Sequence, residues 1–161
     1  MARLLIVHHT PTATVRALAD AVVAGAHDDA ITGVEVVVRA ALEARADDVL
    51  AADGYLLGTP ANFGYMSGAL KHFFDTIFLE AGGALADDGS AGATDGGRKP
   101  FGLWVHGRYD TTGAVRSVES IVQALGWRQS AEVLAVVGDV GAAEREAAYE
   151  LGGTLAALLA G

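Results

Sequence analysis

The chain has 161 residues, of which 52% are hydrophobic and 19% charged, and it carries a net charge of −9 and no cysteine. This composition excludes disorder and thiolate chemistry, fits a single domain over residues 1–161, and disfavours nucleic acid or anionic lipid as a partner. No apolar run reaches the roughly 18–20 residues of a membrane-spanning helix, so a cytoplasmic location without membrane contact is expected.

Short apolar runs predict five β-strands, at residues 3–8, 34–38, 54–58, 101–105 and 133–137. Between and after them, apolar residues at helical spacing predict helices that begin near Val15, Leu42, Met66, Val115 and Ala143. The glycine-rich and acidic segment 81–99 cannot build a packed core and is predicted to be a mobile loop.

Strands and helices alternate along the whole chain, which predicts parallel strand pairing through right-handed crossovers. Strands that are apolar on both faces belong in a sheet covered by helices on both sides. The sequence therefore predicts an α/β fold with a three-layer, doubly wound, five-stranded parallel sheet of strand order 2-1-3-4-5. Ligands of such sheets bind beyond the carboxyl ends of the strands, so the loops after the first, third and fourth strands are candidates.

The first candidate loop is the turn Thr10-Pro11-Thr12-Ala13-Thr14, which leads from a strand into a helix. Unpaired N–H groups and the positive end of the helix dipole make a helix start suitable for phosphate. Three threonine hydroxyls can add hydrogen bonds there without adding charge, and Thr14 is also a candidate for the helix cap. An ordinary turn with a capping threonine is the alternative.

Two adjacent histidines, His8 and His9, precede this turn. Successive residues of a strand point to opposite faces of a sheet, so the two rings are not expected to ligate one metal. Since no carboxylate or further histidine lies at a helpful spacing, no metal site is predicted. A structural role, or one that supports the residues of a binding site without touching its ligand, is favoured for both histidines.

The second candidate loop lies in the segment GTPANFGYMSGALKHFFD, residues 58–75. Pro60 fixes one backbone angle, and Asn62 and Gly64 suit a turn. Phe63 and Tyr65 place aromatic rings beside that turn. Backbone amides can bond the edge of a planar ligand while an aromatic ring covers its face, so this loop is a candidate ring site. Packing of both rings against the following helix is the alternative.

The third candidate loop is HGRYDTTGAVRS, residues 106–117. His106, Arg108 and Tyr109 could contact the same planar ligand from its other side. Arg108 could offset negative charge on a reduced ring, and Tyr109 could stack on it. A surface ion pair of Arg108 with Asp110 or another acid is the alternative.

Together the three loops resemble those of flavodoxin-like flavoproteins that bind FMN. The Thr10–Thr14 turn is similar to their T-x-T-G-x-T phosphate loop. The segment 58–75 resembles the flavin-ring loop of NAD(P)H:quinone oxidoreductases of the tryptophan-repressor-binding-protein type, with its G-T-P-x-x-F-G-x-M-S-G pattern. It is also similar to the corresponding segment of NADPH-dependent FMN reductases, and the resemblance covers residues 3–137.

This resemblance implies FMN as the cofactor and a set of residues that bind it. The residues implied to bind the FMN phosphate are Thr10, Thr12, Ala13, Thr14 and Val15. Those implied to hold the flavin ring are Thr59, Pro60, Ala61, Asn62, Phe63 and Gly64, with His106, Gly107, Arg108 and Tyr109 on its other side. No catalytic side chain is assigned, although His106 and Tyr109 are weak candidates for proton transfer. Ala13 replaces the usual glycine and must therefore keep ordinary backbone angles.

The function implied by the resemblance is transfer of electrons from NAD(P)H to a quinone or another small acceptor. Two alternatives stay open, namely a flavodoxin-type one-electron carrier between redox proteins and a scaffold of the same fold that has lost the flavin. The segment after Tyr109 lacks the longer glycine-rich loop of tetrameric quinone reductases. Their assembly is therefore not expected here, and a homodimer is one candidate.

Overall fold

The computed structural model describes residues 1–82, 87–88 and 96–161. Its strands are β1 Ala2–His8, β2 Val34–Ala40, β3 Gly54–Asn62, β4 Tyr65–Met66, β5 Pro100–Gly107, β6 Arg128–Gln129 and β7 Leu134–Val137. Its α-helices are α1 Ala13–Ala26, α2 Ala46–Ala51, α3 Gly68–Ile77, α4 Thr112–Leu125 and α5 Ala142–Ala160. None of the helices in these ranges is both long enough and apolar enough to cross a membrane.

A parallel sheet lies at the centre of the fold. Its strand order is β2-β1-β3-β5, and β6 and β7 both pair in parallel with the outer edge of β5. Among the described strands, the short strand β4 pairs with β3 alone and is antiparallel to it. If β4 is left out and β6 and β7 are counted together as one edge strand, the sheet has five strands, and their order is the predicted 2-1-3-4-5. The predicted α/β fold is confirmed.

Helices cover both faces of the sheet because strand residues alternate between two apolar cores. Leu5 and Val7 of β1 belong to the core that contains the buried side chains of α3 and α4. Leu4 and Ile6 belong to the core that contains those of α1 and α5. The sheet therefore forms the middle of three layers, as the apolar runs predict.

Two helices begin later than predicted, and β3 and β5 extend beyond their predicted ends. The second helix spans Ala46–Ala51 rather than 42–52, because Arg45 N–H donates to the Asp48 carboxylate at 3.0 Å and the helix starts there. Helix α3 starts at Gly68 rather than Met66, since Ser67 caps it. Of the predicted loop 81–99, residues 83–86 and 89–95 lie outside the described residues, and Gly96–Arg98 forms a 3₁₀ turn.

Candidate functional site

The three candidate loops meet at the carboxyl edge of the sheet. Strand β3 lies between β1 and β5, with His8 opposite Gly58 and Pro60 opposite His106. His9 N–H also donates to the Gly58 carbonyl at 3.1 Å, which extends the β1–β3 pairing into the first loop. The loops that follow β1, β3 and β5 therefore lie side by side at the edge where this fold binds ligands.

Thr12, not Thr14, caps helix α1. Thr12 is extended, with φ −127° and ψ 160°, and its Oγ1 accepts a hydrogen bond from Val15 N–H at 3.4 Å. The first intrahelical bond runs from Arg16 N–H to the Thr12 carbonyl at 3.0 Å. The N–H groups of Ala13 and Thr14 therefore precede the helical ladder and belong to its unpaired donors. The capping role predicted for Thr14 is wrong, because Thr14 lies inside the first turn.

Ala13 keeps an ordinary backbone conformation as the first residue of α1. Among the described residues, the only non-glycine ones with positive φ are Phe63 and Arg98. Alanine therefore costs no strain in this loop, and it keeps the N–H that a glycine would offer. Thr12 and Ala13 are exposed to solvent. Their open amide and hydroxyl groups at a helix start form a donor set that fits a phosphate.

The second loop is a β-hairpin, so the third strand extends beyond its predicted end at residue 58, and the predicted turn lies at its tip. Strand β3 continues through Thr59 to Asn62, and Asn62 lies opposite Tyr65 of β4. The turn between them has φ 51° at Phe63 and φ 78° at Gly64. Two positive φ angles in a two-residue hairpin are typical of a type I′ turn, whose twist matches that of its strands. The hairpin therefore extends the sheet at its ligand-binding edge.

Phe63 combines a strained backbone with an exposed ring. Its relative exposure is 109%, which excludes the alternative that this ring packs against the third helix. Positive φ at a bulky residue costs about 1–3 kcal/mol, and such strain is often kept at ligand-binding sites. The fold thus maintains an unfavourable turn that presents an aromatic ring to solvent, as a ring-binding site requires.

Thr59 holds this hairpin from within. Its side chain is fully buried, and its Oγ1 donates to the Pro60 carbonyl at 2.8 Å and accepts from Ser67 N–H at 2.9 Å. Both hydrogen bonds stay within the protein, so the hydroxyl is not free for a ligand. Thr59 fixes the hairpin to the start of α3. Sequence reasoning missed Ser67, although a serine just before an apolar helical stripe is a recognised capping signal.

Helix α4 supports the hairpin from the other side. Met66 N–H donates to Ser117 Oγ at 3.4 Å. A Cβ added to Gly113 would collide with the Gly64 carbonyl oxygen, so the turn can approach α4 only because residue 113 is glycine. Neither Gly113 nor Ser117 was predicted, since only the packed fold brings them to the hairpin.

In the third loop, Arg108 forms an ion pair with Asp139 at 2.9 Å, and both side chains are exposed. The surface ion pair considered as an alternative is therefore present, with Asp139 instead of Asp110. Asp110 accepts a hydrogen bond from Thr112 N–H at 3.0 Å, and this bond lowers the pKa of the Asp110 carboxyl. Tyr109 is 90% exposed and, like Phe63, presents its ring to solvent.

His106 is buried, and its Nε2–H donates to the Gly138 carbonyl at 2.7 Å. Alternation along β5 places it on the same face as Trp104, which belongs to the core beneath α1 and α5. Gly138 N–H in turn donates to the Gly107 carbonyl at 2.9 Å. His106 and Gly107 thus tie the third loop to the segment after β7, and this geometry lends no support to proton transfer by His106.

His8 lies at the base of the first loop. Its Nδ1 is 3.3 Å from Thr10 Oγ1. Burial lowers the pKa of the His8 imidazole, and the positive charge of Arg16 lowers it further. Within the part of the chain that the structure describes, no three histidine or acidic side chains lie close enough together to hold a metal ion.

A doubly wound sheet with a phosphate-type helix start beside an aromatic hairpin defines the class of flavodoxin-like flavoproteins. Residues 12–140 match the NADPH-dependent FMN reductase family, and the chain belongs to this family. A flavodoxin of Aquifex aeolicus is 34% identical over 85 residues, which cover 53% of this chain and 45% of the relative. A NAD(P)H dehydrogenase (quinone) of Acidithiobacillus ferrooxidans is 32% identical over 95 residues, which cover 47% of this chain and 46% of the relative. The chain spans about half the length of these curated relatives.

Solved structures with the same fold cover nearly the whole chain. An archaeal flavodoxin superposes with a TM-score of 0.75 at 14% identity and covers 98% of both chains. A Streptococcus pneumoniae flavodoxin gives a TM-score of 0.74 at 21% identity, covering 98% of this chain and 99% of that one. A WrbA-like flavodoxin of Agrobacterium tumefaciens gives a TM-score of 0.72 at 16% identity, covering 99% of this chain and 98% of that one. The predicted flavodoxin-like fold and membership of an FMN-dependent oxidoreductase family are confirmed, and FMN is the family's cofactor.

Proposed function

We propose that this chain is an FMN-dependent oxidoreductase that takes electrons from NAD(P)H and passes them to a quinone or another small acceptor. The observation that carries the proposal is the open aromatic edge of the site, where Phe63 and Tyr109 both present their rings to solvent. A small molecule can reach a planar cofactor bound between such rings directly. The family's dependence on NADPH and the relationship to a quinone dehydrogenase support the choice of donor and acceptor.

FMN supplies the electron-transfer and hydride-transfer chemistry when it is bound, while the protein binds and orients it. We assign its phosphate to the start of α1. The groups proposed to hold it are the hydroxyls of Thr10, Thr12 and Thr14 and the N–H groups of Ala13 and Thr14. Val15 stabilises the helix cap, because its N–H donates a hydrogen bond to Thr12 Oγ1.

We assign the flavin ring to the hairpin and the third loop. The residues proposed to contact it are Pro60, Ala61, Asn62, Phe63, Gly64, Arg108 and Tyr109. Thr59 and His106 hold these segments in place rather than contact the ring, because their side chains form hydrogen bonds within the protein. Gly107 lets the third loop turn back tightly, because a Cβ there would lie 2.8 Å from the Asp110 carbonyl oxygen. Arg108 supplies positive charge near a reduced ring, and no side chain is assigned as acid or base.

The direct test is steady-state oxidation of NADPH and NADH with a benzoquinone acceptor. Protein loaded with FMN should turn over many equivalents of donor, and free FMN at the same concentration is the control. A rate no higher than that of free FMN would contradict the enzyme function.

A flavodoxin-type carrier between redox proteins is the second candidate. The relationship to the Aquifex aeolicus flavodoxin favours it, and the net charge of −9 suits docking on a basic protein surface. Two well-separated one-electron potentials without NAD(P)H turnover would establish the carrier and reject the enzyme. Protein that stays colourless after incubation with FMN and desalting would reject both in favour of the scaffold. A single domain over residues 1–161, a cytoplasmic location and a homodimer stay predictions.

Phe63→Asn is expected to stabilise the fold by about 1 kcal/mol, because asparagine tolerates positive φ and the phenyl ring is fully exposed. The same substitution should weaken FMN binding about tenfold, since an aromatic stack contributes about 1 kcal/mol or slightly more. Urea denaturation and flavin fluorescence titration measure the two effects. Phe63→Tyr keeps an aromatic ring and should leave both near wild type. Unchanged FMN affinity in Phe63→Asn would contradict the assigned role.

A further inference from the structure

His8 occupies a fixed place beneath the first loop. It ends β1, where it lies opposite Gly58 of β3. Alternation along the strand places its side chain on the face of Leu4 and Ile6, which is covered by α1. From there Nδ1 reaches Thr10 Oγ1 at 3.3 Å. The Thr10 hydroxyl, one of the groups proposed to hold the phosphate, is therefore paired with an imidazole.

Among the described residues, few charged groups face this imidazole. Helix α1 contributes Arg16 and Asp20, and His9 is the neighbour along the chain. Strand β2 contributes Val38 to the lining of the cavity beside His8, and β3 contributes Gly58, so neither adds a charge. Burial and Arg16 lower the pKa of His8, whereas Asp20 raises it. The surroundings of His8 in the ligand-free protein therefore favour the neutral form of its imidazole.

We propose that His8 is a positioning residue for the FMN phosphate and acts through the Thr10 hydroxyl. This inference rests on the proposed FMN function. A hydroxyl group has a single proton to donate. When Nδ1 carries no hydrogen, it accepts a hydrogen bond from the Thr10 hydroxyl, and Thr10 turns only lone pairs toward a phosphate. When Nδ1 carries a hydrogen, it donates to Thr10 Oγ1, and the hydroxyl proton is free to bind the phosphate.

A bound phosphate also favours the charged form of a nearby imidazole. FMN binding should therefore raise the pKa of His8, so that the complex binds more protons than the free protein. By linkage, the affinity for FMN increases as the pH falls through the pKa of His8 in the complex, and the gain is complete below its pKa in the free protein. Thr10 and His8 thus make phosphate recognition depend on pH.

The test is FMN affinity between about pH 5.5 and pH 8, measured by flavin fluorescence for wild type, His8→Gln and His9→Gln. The phosphate group of FMN itself titrates near pH 6 and adds its own pH dependence to the affinity. The His8→Gln variant shows this dependence without that of His8. The ratio of wild-type affinity to His8→Gln affinity should rise about tenfold from the alkaline to the acid end, which corresponds to a pKa change of about one unit. His9→Gln should follow wild type, and riboflavin, which has no phosphate, should show a constant ratio.

Ring NMR of wild-type protein gives an independent measurement that needs no variant. The pKa of His8 should rise when FMN or inorganic phosphate is added, while the ring signals of exposed His72 should not respond to either ligand. A constant affinity ratio with an unchanged pKa of His8 would overturn the inference and leave the proposed function intact. Protein that binds no FMN at any pH would overturn the proposed function and this inference with it.

Discussion

Gly152→Ala is expected to lower the free energy of unfolding by about 3 kcal/mol. Gly152 lies in α5 where this helix crosses α1, and an added Cβ would collide with the Val22 carbonyl oxygen and lie 3.0 Å from Ala26 N. Both atoms belong to helical backbone, which cannot rotate aside as a side chain can. The two helices must therefore separate, and the core between them loses packing.

Gly153→Ala is the matched control in the same helix. Its added Cβ would lie 3.4 Å from the Gly25 carbonyl oxygen, which is ordinary contact distance. Alanine also has a higher helix propensity than glycine, by up to about 1 kcal/mol, so this variant should be neutral or slightly more stable than wild type. Urea denaturation measures both. Equal losses in the two variants would contradict the close crossing of α1 and α5 at Gly152.

Thr12→Val is expected to weaken FMN binding by about ten- to a hundredfold. A hydrogen bond to a charged group contributes about 1.5–3 kcal/mol, and the valine side chain cannot replace the hydroxyl. The substitution also removes the bond between Thr12 Oγ1 and Val15 N–H, which costs about 1 kcal/mol of helix-cap stability. Flavin fluorescence titration measures the affinity, and urea denaturation measures the cap contribution separately.

Two variants control for this effect. Thr12→Ser keeps the hydroxyl and should bind FMN nearly as tightly as wild type. His9→Ala removes a side chain that is given no part in phosphate binding, and its affinity should change less than about threefold, within the range of minor surface substitutions. Riboflavin should bind Thr12→Val and wild type alike, because it lacks the phosphate. A larger FMN loss in His9→Ala than in Thr12→Val would contradict the assignment of the phosphate to Thr12.

The sheet could be predicted from sequence because its apolar runs and helical stripes follow simple periods. The hairpin could not. A type I′ turn usually carries asparagine or glycine at its first central position, and here that position is Phe63, with φ 51°. Local preference thus opposes the observed turn. Contacts to Ser67 and Ser117, which form only in the packed fold, hold the hairpin together.

The loop positions could be predicted from strand order, but the partners of their side chains could not. Sequence pointed to Asp110 as the nearest acid for Arg108, whereas the fold brings Asp139 to it. His106 likewise bonds to Gly138, which is distant along the chain. Such partners depend on how the ends of β5 and β7 are aligned, and no local pattern encodes that alignment. The backbone angles of Ala13, by contrast, follow from its place at the start of α1.

Amide NMR with FMN and riboflavin as paired ligands would locate both ends of the cofactor in one experiment. The Ala13 and Thr14 resonances should shift on addition of FMN and stay in place with riboflavin, because only FMN carries a phosphate for the start of α1. The Asn62, Gly64 and Tyr109 resonances should shift with both ligands, because both carry the flavin ring. Unmoved Ala13 and Thr14 signals with bound FMN, or equal shifts with riboflavin, would contradict the proposed site.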